Sequence, residues 1–128
     1  MAPAATRAAV DRYVAALNGH DADTIAAAVT DDFVNEHTSA GGISRTGRAA
    51  YRQALDGFLG QFADLRYEVE DVLVDGDRAA LAYTMTAVVD GCPIAIRGVF
   101  RFRVRGGLVA HRVDYWDGAE FARQIGES

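Results

Sequence analysis

From Leu65 onward the hydrophobic pattern has a period of two, interrupted by turn-forming residues at Asp75-Gly76-Asp77, Asp90-Gly91 and Gly106-Gly107. Each interval holds one strand and each turn pair suits a tight reversal, so the pattern predicts four strands joined by three hairpins. In the third of these strands Ile94, Ile96, Phe100, Phe102 and Val104 alternate with Arg97, Val99, Arg101, Arg103 and Arg105. One side reads as core and the other as exposed or paired. Such a meander leaves an apolar face that something must cover.

The first half of the chain supplies the cover. Val10, Tyr13, Val14 and Leu17 recur at helical spacing and Asn18-Gly19 follows as a stop, which predicts a helix over residues 4–18. A shorter helix, capped by Asp21 or Asp23, buries Ile25, Ala28 and Val29 before the Asp31-Asp32 break. A strand, FVNEHT, starts at Phe33. A loop through Gly41-Gly42 then leads to Thr46, the expected cap of a third helix whose Tyr51, Leu55, Phe58, Leu59 and Phe62 form a wide apolar stripe. Together these elements describe a single α+β domain over residues 1–128, its three helices packed on a curved antiparallel sheet.

With half of its 128 residues hydrophobic, the chain can bury a core without staples or metals. A formal net charge of -5 argues against nucleic acid as a partner. Cys92 is the single cysteine, and no CxxC or His/Cys cluster marks a metal site. The opening MAPAATRAAV lacks the apolar run of a signal peptide, and no segment nears the roughly 20 apolar residues of a membrane helix. A soluble, cytoplasmic protein is expected. All thirteen basic residues are arginine and alanine is abundant, a bias associated with GC-rich bacterial genomes rather than with a function.

The stretch FVNEHTSA, from Phe33 to Ala40, holds one of three histidines. Alternation turns Phe33, Asn35 and His37 to one face, a polar pair beside a phenylalanine, as in a pocket wall.

RYVAALNGHDADTIAAAVTDDFVNEH resembles the opening of bacterial ketosteroid isomerases, and GLVAHRVDYWDGAEFARQIG resembles the ending of SnoaL-like polyketide cyclases and limonene epoxide hydrolases. All belong to the nuclear transport factor two-like superfamily. The resemblance covers nearly the whole chain and implies a cone, with helices packed into the concave face of a strongly bent sheet around a deep apolar pocket. It also implies roles for single residues. Tyr13 matches the isomerases' tyrosine that donates to a developing oxyanion, His37 falls at their aspartate base, and their second oxyanion donor aligns with Gly98. Asp114, in RVDYWD, matches the acid/base carboxylate of the cyclases and the water-activating one of the hydrolases, whose two further water-holding positions match Asn35 and His37. Thr86 and Val88 stand where the hydrolases place an arginine and an acidic residue, which removes their route of epoxide protonation. Relatives commonly pair through the outer sheet face, which implies a homodimer.

Surrounded by Phe58, Phe62, Ile96, Phe100 and Trp116, the expected lining of the pocket, a carboxylate at Asp114 loses hydration and its pKa rises. His37 opposes that rise. The two side chains are expected within hydrogen-bond reach, directly or through one water, titrating as a unit. The matching chemistry is cofactor-free proton abstraction next to the carbonyl of a small hydrophobic molecule, followed by cyclisation or isomerisation. His37 or Asp114 serves as base and Tyr13 steadies the enolate oxygen. The alternatives are a non-catalytic ligand-binding or partner domain, and a hydrolase using water held by Asn35, His37 and Asp114.

Structural readings stand beside these roles. Asp114 can bond Tyr13 and tie helix to sheet, Tyr13 fits as a core aromatic, and Tyr115 and Trp116 fit as packing. His111, one step out of phase with Asp114, belongs on the opposite sheet face with the solvated or dimer-facing arginine row. Cys92, ahead of Pro93, has no neighbour to lower its pKa.

Overall fold

The computed structural model describes residues 2–126. Helix α1, Pro3–Gly19, buries Val10, Tyr13, Val14 and Leu17 as their spacing requires. It ends where His20 turns left-handed at φ 62° and returns its N–H to the Leu17 carbonyl. Asn18 fastens this end to the sheet: its amide donates to the Tyr67 carbonyl at 3.0 Å and accepts from the Tyr67 N–H at 2.7 Å. Helix α2, Ala22–Ala27, is capped by Asp21, which accepts from the Asp23 N–H.

Strand β1, Val29–His37, starts at Val29 rather than Phe33 and runs through the Asp31-Asp32 pair. Both aspartates are exposed, Asp31 paired with Arg48 and Asp32 with Arg105, so they do not interrupt the strand. Thr46 lies in the short strand β2, Arg45–Thr46, paired with β1, and does not cap the third helix. Gly47, at φ 96°, takes the cap position of α3, Arg48–Gln61, in a conformation threonine adopts only under strain.

The meander follows as β3 (Ala63–Asp75), β4 (Arg78–Val89), β5 (Cys92–Arg105) and β6 (Leu108–Trp116), with its turns at the three expected places. Asp90 and Gly91 both have positive φ, 49° and 79°, as a two-residue hairpin with right-handed strand twist demands. The six strands form one curved sheet in the order β2-β1-β6-β5-β4-β3. Every pair is antiparallel except β1 with β6, which run parallel. A parallel pair needs a long crossover, and here α3 and the first three meander strands supply it. A fourth helix, α4 (Gly118–Gln124), joins the three expected ones; Asp117 caps it by accepting from the Ala119 and Glu120 N–H groups. Its Phe121 ring lies 5.8 Å from Phe62 and 6.1 Å from Trp116, closing one end of the cone.

The two sheet faces divide as the alternation predicts. Ile94, Ile96, Phe100, Phe102 and Val104 are buried against the helices. Outside, Arg97 pairs with Glu70 at 2.6 Å and Arg103 with Asp77 at 3.2 Å. His111 pairs with Glu36 at 3.1 Å on this outer face, away from Asp114. Among the described residues no helix is long and apolar enough to cross a membrane.

Candidate active site

Counting by two along β6 turns Arg112, Asp114 and Trp116 to the inner face. The parallel ladder sets Asn35 opposite Arg112 and His37 opposite Asp114, so residues distant in sequence meet as neighbours. They face a cavity of 450 Å³, walled by Phe58 and Phe62 of α3, Ile96 of β5 and Phe121 of α4, with Gly41, Gly42 and Ile43 at the loop after β1. Asn35, His37, Phe58, Phe62, Ile96, Asp114 and Trp116 therefore line the cavity as expected. Tyr13 and Phe100 do not. Tyr13 is 0 % exposed, its hydroxyl enclosed by Tyr51 and Arg112, which do line the cavity. Phe100 lies in the core behind the wall, 4.9 Å from the Arg112 guanidinium and 4.5 Å from the Tyr83 ring.

Asp114 finds its hydroxyl partner in Tyr83, not Tyr13: the Tyr83 O–H donates to Oδ1 at 2.6 Å. Tyr83 stands on β4, two strands away, and its phenol crosses β5 over Gly98, its register partner. A Cβ at Gly98 would come within 2.3 Å of that hydroxyl. The space that the resemblance assigns to a second acid is thus filled by a phenol. The other carboxylate oxygen, Oδ2, accepts no hydrogen bond from the described residues and is left to the cavity. Burial raises the Asp114 pKa above its ordinary value, with the Arg112 charge and the Tyr83 bond offsetting part of that rise.

His37 Nδ1 lies 3.6 Å from Asp114 Oδ2, beyond a direct hydrogen bond. That nitrogen accepts instead from the Trp116 indole at 3.1 Å. The indole N–H can only donate, and so can the Arg112 N–H 3.5 Å from Nε2; a neutral ring accepts at one nitrogen, and the shorter Trp116 contact assigns the lone pair to Nδ1 and the proton to Nε2. Burial, and then the cations of Arg112 and Arg45, bring the His37 pKa down to about 4. With its pKa brought down, His37 is uncharged near neutral pH, and the cation that steadies Asp114 is Arg112 rather than a histidine cation.

Arg112 is the residue that the sequence reading missed, although stepping back by two from Asp114 reaches it. It is 5 % exposed, forms no ion pair among the described residues, and has no partner for its Nε. Its Nη1 donates to the Tyr13 hydroxyl at 2.7 Å and its Nη2 to Asn35 Oδ1 at 2.5 Å. Burial opposes its charge, but the surrounding phenol oxygens and Asp114 keep its pKa above the ordinary value. Arginine cannot accept, so the Tyr13 oxygen receives from Arg112; fully buried and with no other acceptor among the described residues, the Tyr13 hydroxyl gives its proton to Tyr51, 2.5 Å away. Tyr51 is then the end of a one-way chain, with its own hydroxyl hydrogen free for the cavity. Tyr83 and Met85 also line the cavity, on the inward phase of β4.

A family model described as a SnoaL-like domain matches residues 10–112. No curated protein matches the chain in sequence at a significant level. Among solved structures, a hypothetical protein with a ketosteroid isomerase-like fold from Catenulispora acidiphila, in complex with trimethylamine, superposes with a TM-score of 0.85 at 18% identity, over 94% of this chain and 93% of that one. An LEH-like epoxide hydrolase from M. tuberculosis gives 0.82 at 22% identity, over 96% and 91%. TerC, co-crystallised with polyporic acid, gives 0.83 at 18% identity, over 94% and 98%. These likenesses show the fold, and the family match, which takes in most of the cone from α1 to the middle of β6, shows that the chain belongs to the SnoaL-like domain family.

Proposed function

We propose that the cavity is the active site of a cofactor-free enzyme that moves a proton at the carbon next to a carbonyl in a small hydrophobic molecule, leading to cyclisation or isomerisation. The observation that carries this reading is Asp114: Oδ1 is pinned by Tyr83 while Oδ2 is open to an apolar cavity. A carboxylate whose pKa is raised by burial is a stronger base than one in water, and its fixed orientation spares the cost of positioning it. Developing negative charge on the carbonyl oxygen meets the free Tyr51 hydroxyl, strengthened by the chain from Arg112 through Tyr13. Tyr13 acts in this scheme through Tyr51, and neutral His37 serves as a donor at Nε2 rather than as the base.

Hydrolysis by held water draws less support. His37 Nδ1 is committed to Trp116 and Asn35 Oδ1 already holds one donor in Arg112, so a water on this wall would depend chiefly on Asp114 Oδ2.

The test is exchange of the α-hydrogens of 2-tetralone in D2O, followed by proton NMR. The wild-type protein speeds exchange, with a rate that rises with pH as Asp114 loses its proton and then levels. Asp114→Asn lowers the catalysed rate roughly a hundred- to ten-thousand-fold. An unchanged rate in that variant contradicts the proposal.

A further inference from the structure

Arg45, Arg112 and Asp114 are the charged residues lining the cavity, His37 being neutral. With Asp114 ionised, one positive charge is in excess, within a chain whose formal net charge is -5. Neither arginine forms an ion pair among the described residues. Arg112 is buried, and the one acid of the lining, Asp114, leaves the half-buried Arg45 with no counterion there.

The hydrogen-bond geometry points the same way. Arg112 Nη2 lies 3.5 Å from His37 Nε2. Because Trp116 occupies Nδ1, Nε2 bears the ring proton, so two N–H groups face one another with no acceptor between them. A carboxylate satisfies both at once, since its two oxygens accept from paired donors. Arg45, half-buried on β2 at the rim, stands near enough to depress the basicity of His37.

We propose that the molecule taken by this cavity is an apolar carboxylic acid, its carboxylate seated on Arg112 Nη2–H and His37 Nε2–H and neutralised jointly with Arg45. Its apolar body lies against Phe58, Phe62 and Trp116. The inference rests on the cavity being the substrate site proposed above, and it narrows the substrate class from any hydrophobic carbonyl compound to one bearing an acid group. A single carboxylate matches the single excess charge, whereas a phosphate dianion exceeds it.

Trp116 is the one tryptophan in the chain and lines the cavity, so its fluorescence reports on this site alone. The probes are adamantane-1-carboxylate and its uncharged isostere adamantane-1-carboxamide, titrated at pH 7.5. The acid binds about tenfold or more tightly than the amide, and Arg45→Ala brings the ratio of affinities toward one. Equal affinity for the two compounds, or an acid preference undiminished in Arg45→Ala, overturns the inference while leaving the proton-transfer reading to its own exchange test. Silence from both compounds overturns it together with the cavity as a binding site.

Discussion

On the outer face of the sheet Arg97, Arg103 and Arg105 each meet an acidic side chain, Glu70, Asp77 and Asp32, whereas on the inner face Arg112, 5 % exposed, meets none. The outer pairs lie in water, where screening and side-chain entropy leave each with little net worth. The inner cation is held by phenols, an amide and the Phe100 ring instead of by a carboxylate. Asp114, on the same strand, is likewise held by a phenol instead of by a cation. Keeping opposite charges near one another but unpaired leaves each available to a third party, which is the arrangement expected of a site that binds and reacts.

The tyrosines offer the strongest attack on this contrast. Tyr51→Phe removes the hydroxyl hydrogen that faces the cavity and lowers the 2-tetralone exchange rate about a hundredfold or more, while Tyr13→Phe, which only weakens the donor behind it, has the smaller effect. The opposite ranking would return the donor role to Tyr13. A second challenge concerns the glycine under the Tyr83 phenol. Gly98→Ala sets a Cβ where the hydroxyl lies, 2.3 Å away, and costs about 1–3 kcal/mol in urea denaturation. Loss of the Tyr83 bond also removes one of the influences holding the Asp114 pKa down, so the pH–rate curve moves to higher pH. Unaltered stability and profile would show that Tyr83 can leave without consequence. The mildest change lies outside: Arg97→Ala leaves the urea-denaturation midpoint nearly unmoved, and a shift as large as that of Gly98→Ala would erase the distinction between the faces.

Much of this architecture was legible from local pattern. The period of two after Leu65 and the turn pairs place the meander strands, and the apolar stripe of α3 marks the cover of the cavity. The parallel partnership of β1 and β6 was not legible, because strand order depends on how the two halves dock rather than on any residue in β1. Helix α4 carried a signal, Asp117 three positions ahead of Glu120, but it buries no residue completely and so shows no clear apolar period.

For the site, alternation and resemblance together bring His37, Asn35 and Asp114 to one wall. Arg112 was hidden in plain view, in phase with Asp114 but following a strand crowded with outward arginines. That Tyr13 stands behind the cavity wall, with Tyr51 in front of it, was hidden for a subtler reason. Which of two hydroxyls in contact has a free hydrogen depends on the third group that donates to the pair, and that group, Arg112, is 99 positions away. The state of His37 turned similarly on Trp116, whose indole decides which ring nitrogen bears the proton.

The central claim is that Asp114 is a buried carboxylate whose desolvation outweighs the help of Arg112 and Tyr83, so that its ionisation is displaced upward by the fold. Carboxyl-carbon NMR of protein labelled at aspartate, compared with Asp114→Asn to assign the signal, follows that ionisation directly. A midpoint clearly above 3.8 is predicted; a midpoint at or below 3.8 would mean that the cavity solvates or pairs the carboxylate, and the proposed base would have no special strength.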